Sequence, residues 1–335
     1  PASAIARLWA ALADRDEVET AELLDDLSGR ALLQYNAGQP QPPDEAGQPS
    51  ANRTVTLHDL LRDFIAFELG AAGAIEAHQA LLYAYRPHRD NTPWTTVADD
   101  GYLYDHLAYH LDAIAADDPT AAHELKALFA DQAWLHARVA AADYEYDGYI
   151  ADLALAWRRT HEQVCAEIAD GHVSTAFADC VRYALIHTSI NSLAANYEPA
   201  LVVRAVETGL WSARRALSVA GRIPDAKKRS ELISELLATD QFQVQANHSL
   251  RSQAEVMGLA AARAIENDWL RAYELAALTS QLSGEVKAKV LAEELVAARA
   301  IENGWSRAAV LAVLAPHLSG ELLEEGLVAA YAIEY

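Results

Sequence analysis

The feature that most constrains the fold is an internal repeat in the last part of the chain. The segment ARAIEN at 262–267, followed by Trp269, recurs at 298–303, followed by Trp305, an interval of 36 residues. A diverged copy, VRAVE, lies at 203–207 before Trp211, and AYAIE at 330–334 begins a further copy. Periods of this length built from two helices are typical of α-solenoids, in which each pair buries its apolar face against its neighbours. Residues 196–335 are therefore predicted to form helical repeats.

The repeated tryptophans, Trp211, Trp269 and Trp305, are interpreted as core residues. Large aromatic side chains at a repeated helical spacing usually contribute buried apolar area. Each is expected to fill the turn between two paired helices.

Residues 1–72 have a different pattern. Apolar residues recur at helical spacing over 5–12 and 17–27, and the second helix is expected to turn Val18 and Leu24 inward. Residues 31–35 and 54–57 read as short strands, separated by a loop at 39–53 that contains four prolines. Residues 58–69 return to helix. This order predicts a winged-helix domain, with the proline-containing loop as the wing.

Charge argues against binding of nucleic acid. The chain has 26 Lys and Arg residues against 48 Asp and Glu residues, a formal net charge of −22. The second helix, which would enter the major groove, carries five carboxylates against Arg30. A surface of this sign repels phosphates, so a winged-helix transcription regulator is the weaker alternative.

From residue 74 onward the pattern is helical throughout. The predicted fold is mainly α: a winged helix at 1–72, a helical domain at 73–195 and an α-solenoid of helix-pair repeats at 196–335. A chain of 335 residues is too long for one core and suits this division.

Motifs for chemistry are missing from the sequence. No G-x-x-x-x-G-K-[ST] phosphate loop and no G-x-S-x-G elbow occurs, so no enzymatic activity is expected of this chain. His106 and His110 are four residues apart, but Leu107 stands where a metalloprotease has its glutamate. The two histidines are expected to pack beside tyrosines, without a metal.

Cysteine usage and hydropathy indicate a cytoplasmic protein. Cys165 and Cys180 cannot make a disulfide framework and are interpreted as small core thiols. No apolar run reaches the roughly 20 residues that span a bilayer, so no membrane partner is expected. The chain opens at Pro1 in a helical pattern, which suggests a piece of a longer protein. Arginine outnumbers lysine 21 to 5, as in GC-rich bacterial genomes.

Residues 54–65, TVTLHDLLRDFI, resemble the end of the winged-helix domain of NB-ARC proteins, the signal-transduction ATPases with numerous domains (STAND). Leu57-His58-Asp59 matches their Met-His-Asp motif with Leu in the first place. Residues 99–111, 124–128 and 134–135 are similar to the helical domain that follows in apoptotic protease-activating factor. The resemblance covers about residues 1–160.

The resemblance implies a regulatory role. In the family, the histidine of the motif contacts the β-phosphate of ADP and holds the inactive state, and only His58 aligns with it. ADP or ATP is therefore expected only together with an upstream nucleotide-binding domain in cis. The repeats would recognise a protein or ligand, with homo-oligomers forming on activation. Asp59 is expected to cap the following helix.

Two alternatives remain open from the sequence. His58 can be a packing or capping residue at a strand–helix junction. The chain can be a helical-repeat adaptor without any link to nucleotides.

Overall fold

The computed structural model describes residues 1–36, 54–86, 92–282 and 284–333. The predicted wing at 39–53 lies outside the described residues. The fold is mainly helical, as the sequence predicts. The chain divides into two compact units, residues 1–184 and 185–335.

The first unit begins with helix, helix, strand, strand, helix, which is the order predicted for residues 1–72. The elements are α1 Ala2–Ala13, α2 Glu17–Gly29, β1 Leu33–Asn36, β2 Thr54–Leu57 and α3 Asp59–Tyr85. The strands pair antiparallel, from Leu33 opposite Leu57 to Asn36 opposite Thr54. Helix α1 packs on α3. The assignment of these elements to a winged-helix domain stays a prediction.

Helix α2 has a capped N-terminus and lies on the surface. Asp16 and Glu19 form a capping box in which each side chain accepts from the other's backbone N–H, at 2.8 and 3.1 Å. Leu24 is buried, but Val18 is exposed, so the prediction that Val18 turns inward is wrong. Val18 lies in the first turn, outside the strip that faces the core. The five carboxylates of this helix are all on exposed residues.

Helix α3 contains a break at Gly70, where φ is 61° and ψ is −177°. This region of backbone space is open essentially to glycine alone. The break directly follows the helical segment that the sequence predicts at 58–69.

The rest of the first unit is built around one helix. After a 3₁₀ turn at Trp94–Thr96 come α4 Leu103–Ile114, α5 Pro119–Leu128, α6 Gln132–Ala141 and α7 Asp147–Ala169. The boundary between the two units falls within the next helix, α8 Phe177–Ala195. Helix α4 contacts α3, α5, α6 and α7. It is therefore buried on most of its circumference, through Leu103, Tyr104, Leu107, Ala108, His110, Leu111, Asp112 and Ile114.

The second unit is a succession of helices: α9 Pro199–Glu207, α10 Ala213–Arg222, α11 Ala226–Ala238, α12 Asp240–Gln245, α13 His248–Arg263, α14 Asp268–Thr279, α15 Gly284–Ala300, α16 Gly304–Leu314 and α17 Glu321–Tyr331. A 3₁₀ turn at Ala315–His317 follows α16. Helix α11 packs on α13, α14 on α16, and α15 on α17. The pairs α13–α14 and α15–α16 coincide with the two copies of the 36-residue sequence repeat, which is consistent with the predicted helical repeats.

The interpretation of the repeated tryptophans as core residues is wrong for Trp269 and Trp305. Trp269 is 43% exposed and Trp305 is 80% exposed, while Trp211 is half-buried against the core. Trp269 and Trp305 are each the second residue of a helix that opens directly after an asparagine cap. In α14 full burial begins only at Ala272. The first turns of α14 and α16 therefore lie outside the buried strip of these helices.

Candidate functional site

His58 is the N-cap residue of α3 and is exposed. Its backbone is extended, with φ −63° and ψ 140°, and its Nδ1 accepts a hydrogen bond from the backbone N–H of Leu60 at 3.3 Å. The prediction that Asp59 caps this helix is wrong. Asp59 is already the first helical residue, and its carboxylate instead lies 3.3 Å from the guanidinium of Arg62.

The hydrogen bond from Leu60 to His58 determines which ring nitrogen of His58 can donate to a ligand. A ring nitrogen that accepts a hydrogen bond carries no proton, so in the neutral ring the hydrogen is on Nε2. The Nε2–H group is thus a donor at the N-terminus of a helix, where the helix dipole also favours an anion. One phosphate oxygen is an acceptor that fits this position. The negative charge of Asp59 repels an anion at this position. The ion pair between Asp59 and Arg62 partly cancels that charge.

The first half of α3 carries an apolar surface next to His58. Leu60, Phe64 and Phe67 are exposed, and their spacing places them along one face of the helix. We call these three residues the α3 apolar face. An exposed cluster of large apolar side chains is typical of a surface that another domain or protein covers.

Sequence reasoning missed a buried ion-pair network around Arg138, which is 4% exposed. Its Nε donates to Asp152 at 2.9 Å, and its Nη1 donates to Asp105 at 2.5 Å. Burial raises the pKa of Asp152 to about 6, although the neighbouring guanidinium of Arg138 favours the charged form. A Cβ at Gly148 would collide with the guanidinium of Arg138, so a larger residue there would displace that group from its ion pairs. The network joins α4, α6 and α7.

A second polar group links the histidines of α3 and α4. The Nδ1 atoms of His78 and His110 are 2.6 Å apart, and His110 Nε2 lies 3.0 Å from the hydroxyl of Tyr102. His106 stacks on Tyr102. The prediction that His106 and His110 pack beside tyrosines is confirmed. The contact of His78 with His110 could not be predicted from a local sequence pattern, because the two residues are 32 positions apart.

Both histidines of this pair are kept neutral. Burial, together with the nearby His78 and His106, lowers the pKa of His110 to about 3. Burial also lowers the pKa of His78. In the hydrogen bond between the two Nδ1 atoms, one ring carries the proton and donates it, and the other ring accepts.

The end of α3 is tied to α5 through Arg86. Its guanidinium pairs with Glu124 and lies 3.9 Å above the centre of the Trp94 ring, and Trp94 Nε1 donates to Glu124 at 3.0 Å. A cavity of about 250 Å³ lies beside these residues. Because Glu124 receives both donors, the cluster acts as a structural clamp between the two helices.

The cysteines lie differently from the prediction of core thiols. Cys165 is exposed, with Sγ 3.6 Å from His161 Nε2, and Cys180 is half-buried. The buried strip of α7 runs through Ala156, Thr160 and Val164, so Cys165 falls outside it.

Neither a metal site nor a membrane-spanning helix is present in the described ranges 1–36, 54–86, 92–282 and 284–333. These residues contain no group of three or more His, Cys, Asp or Glu side chains placed to hold a metal ion. Among the helices of these residues, none is both long and apolar enough to cross a membrane.

Comparison with known proteins identifies one domain. Residues 75–159 match the family model of the APAF-1 helical domain. The match runs from the second half of α3 through α4, α5 and α6 into α7, and covers about a quarter of the chain. No curated protein and no solved structure matches the chain. These residues are thus an APAF-1-type helical region, as the resemblance predicts.

Proposed function

We propose that this chain is the regulatory and ligand-sensing portion of a bacterial NB-ARC, or STAND, ATPase that works in the cytoplasm. The observation that carries the proposal is the APAF-1 helical domain at 75–159, which begins within the helix that Leu57-His58-Asp59 opens. The order of motif and domain is the one that the resemblance implies.

In this proposal His58 holds ADP that an upstream nucleotide-binding domain supplies. The Nε2–H group donates to a β-phosphate oxygen, and the cap bond from Leu60 fixes the orientation of the ring. A hydrogen bond to a charged acceptor contributes about 1.5–3 kcal/mol. Because it forms only in the closed state, it shifts the population toward the inactive form.

The α3 apolar face supports a domain partner in cis. Leu60, Phe64 and Phe67 follow His58 on the same helix, so a domain that brings ADP to His58 can cover them. That burial would supply apolar area to the closed state, and its loss on opening would expose a surface for homo-oligomers.

The repeats are the proposed sensor. The array α13–α16 presents side chains at equivalent positions of successive repeats, which suits recognition of an extended partner. Partner binding would favour the open state and allow exchange of ADP for ATP. The chain itself performs no chemistry in this proposal, since its sequence has no phosphate loop.

The first test is the reading frame that encodes the chain. A G-x-x-x-x-G-K-[ST] motif upstream of Pro1, within about one domain length, is the expected result. Its absence from a complete upstream frame would favour the helical-repeat adaptor.

The second test separates phosphate binding by His58 from helix capping. In the parent protein, His58→Asp keeps a good N-cap acceptor but has no donor and repels phosphate. We expect ADP to dissociate about 10- to 100-fold faster, with α3 still folded. His123→Asp, an exposed histidine on α5, is the control and should leave ADP dissociation unchanged. If His58→Asp retains ADP like the wild type, His58 is a capping residue only.

A further inference from the structure

The two exposed tryptophans of the repeats are held in the same way. Asn267 and Asn303 cap α14 and α16, each accepting a backbone N–H through its side chain at 2.9 Å. Trp269 and Trp305 follow two residues after their caps, so both project from the same edge of the array. A residue that only filled the interhelical turn would be buried, and Trp305 is 80% exposed.

The two turns form one groove, which we call the tryptophan groove. Its volume is about 540 Å³. Asp268 and Trp269 line it from the first turn, and Glu302 and Trp305 from the second. The ring of Trp269 stacks on Tyr273 with centroids 5.9 Å apart, which restricts its rotation. The groove thus has indole surfaces at two neighbouring repeats.

The negative charge of the groove favours a positively charged occupant. Asp268 and Glu302 line it, and Glu266 lies next to it in sequence. None of its nine lining residues is basic. Three arginines lie close to the lining residues in sequence, and each already has an acceptor. Arg271 donates to Asp268 at 2.5 Å and to the carbonyl of Ile265 at 3.1 Å. Arg299 donates to Glu325 at 3.0 Å, and Arg307 to the carbonyl of Ala332 at 3.2 Å. The chain as a whole, at −22, adds a field of the same sign.

We propose that the tryptophan groove binds an extended, arginine-bearing segment of a partner protein. A guanidinium group stacks on an indole face and bonds to a carboxylate in its own plane, so one arginine can use Trp305 and Glu302 together. Helices α14 and α16 pack side by side, which places equivalent residues about 8–10 Å apart. At about 3.3 Å per residue, two arginines two or three residues apart span that distance.

This inference rests on the proposed function only in assigning partner recognition to the repeats. It does not depend on His58 or ADP. The ADP-dissociation test of His58 and the peptide-binding test of the groove can therefore give opposite outcomes. Arginine binding with unchanged ADP retention would leave the tryptophan groove standing without the ATPase link.

The test uses the full chain and a fluorescein-labelled peptide with two arginines three residues apart in a glycine–serine background. A second peptide carries citrulline, which has the same shape and no charge, in place of both arginines. Fluorescence anisotropy should show binding of the arginine peptide alone. Trp305→Ala should weaken it about two- to fivefold, and the double variant with Trp269→Ala about four- to 25-fold. Glu302→Gln should weaken it and reduce its dependence on salt.

The matched control is Tyr331→Ala, because Tyr331 is an aromatic residue of the same unit that is 88% exposed and lies outside the groove. It should bind like the wild type. Equal affinity for both peptides, no measurable binding of either, or no effect of the two tryptophan variants would overturn the proposal. So would sedimentation showing that the chain self-associates through Trp305, since a second copy would then cover the groove.

Discussion

Acidification should weaken the folding of residues 1–184 through His110. This side chain is 5% exposed, faces His78, His106 and Tyr102, and has a pKa lowered to about 3 in the fold. In the unfolded chain its pKa returns to the ordinary value near 6.5. Between these values the unfolded state binds a proton that the folded state does not, so stability falls as the pH falls.

The magnitude follows from the two pKa values. One pKa unit corresponds to about 1.36 kcal/mol, so the full effect of about 5 kcal/mol is reached only near pH 3. Between pH 7 and pH 5 the unfolded imidazole becomes almost fully charged, and the loss is about 2 kcal/mol. The pKa of His78 is lowered as well, so that histidine adds to the loss in the same direction.

The assay is urea unfolding at pH 7 and pH 5. Trp94 and Trp134 are buried in this unit, so their emission follows its unfolding. His110→Gln keeps polar groups for Tyr102 and His78 but does not titrate, and should reduce the pH-dependent loss by about 2 kcal/mol. The exposed His123→Gln is the control and should keep the full loss. If the His110 variant and the wild type lose equal stability, His110 is charged or solvated in the fold and the reasoning is refuted.

Two further predictions concern stability at neutral pH. Leu314→Ala, at a fully buried position of α16, should lower the free energy of unfolding by about 2–5 kcal/mol, while Trp305→Ala on the same helix should change it by less than about 0.5 kcal/mol. Equal effects in denaturant titrations would mean that Trp305 is a core residue after all. Arg138→Ala should cost about 3–5 kcal/mol because it leaves Asp152 buried without its partner. The exposed ion pair of Arg204 offers the comparison, and Arg204→Ala should cost under about 1 kcal/mol in the same titration.

Local sequence was enough to predict several elements, because the relevant interactions are close along the chain. The 36-residue period predicts the pairs α13–α14 and α15–α16, since each repeat carries its own cap and apolar strip. The strand Thr54–Leu57 before His58 follows from its β-branched residues. His106 and Tyr102 stack across one turn of α4, which also is a local contact.

Capping at the start of α3 shows where local reasoning stops being sufficient. Both His58 and Asp59 have side chains that can accept from the first N–H groups of a helix. Which one does so depends on the residue at which helical backbone angles begin. The structure begins the helix at Asp59, so His58 is the cap.

The burial of individual side chains and the long-range polar contacts were decided by tertiary structure alone. Trp269 and Trp305 look like core residues in sequence, because periodicity reports the face of a helix but not how far its neighbour extends along it. Arg138 meets Asp105 from 33 residues away and His78 meets His110 from 32, and no local pattern encodes these pairs. Such contacts form only when separate helices pack, since only burial together makes an ion pair or a shared proton favourable over water.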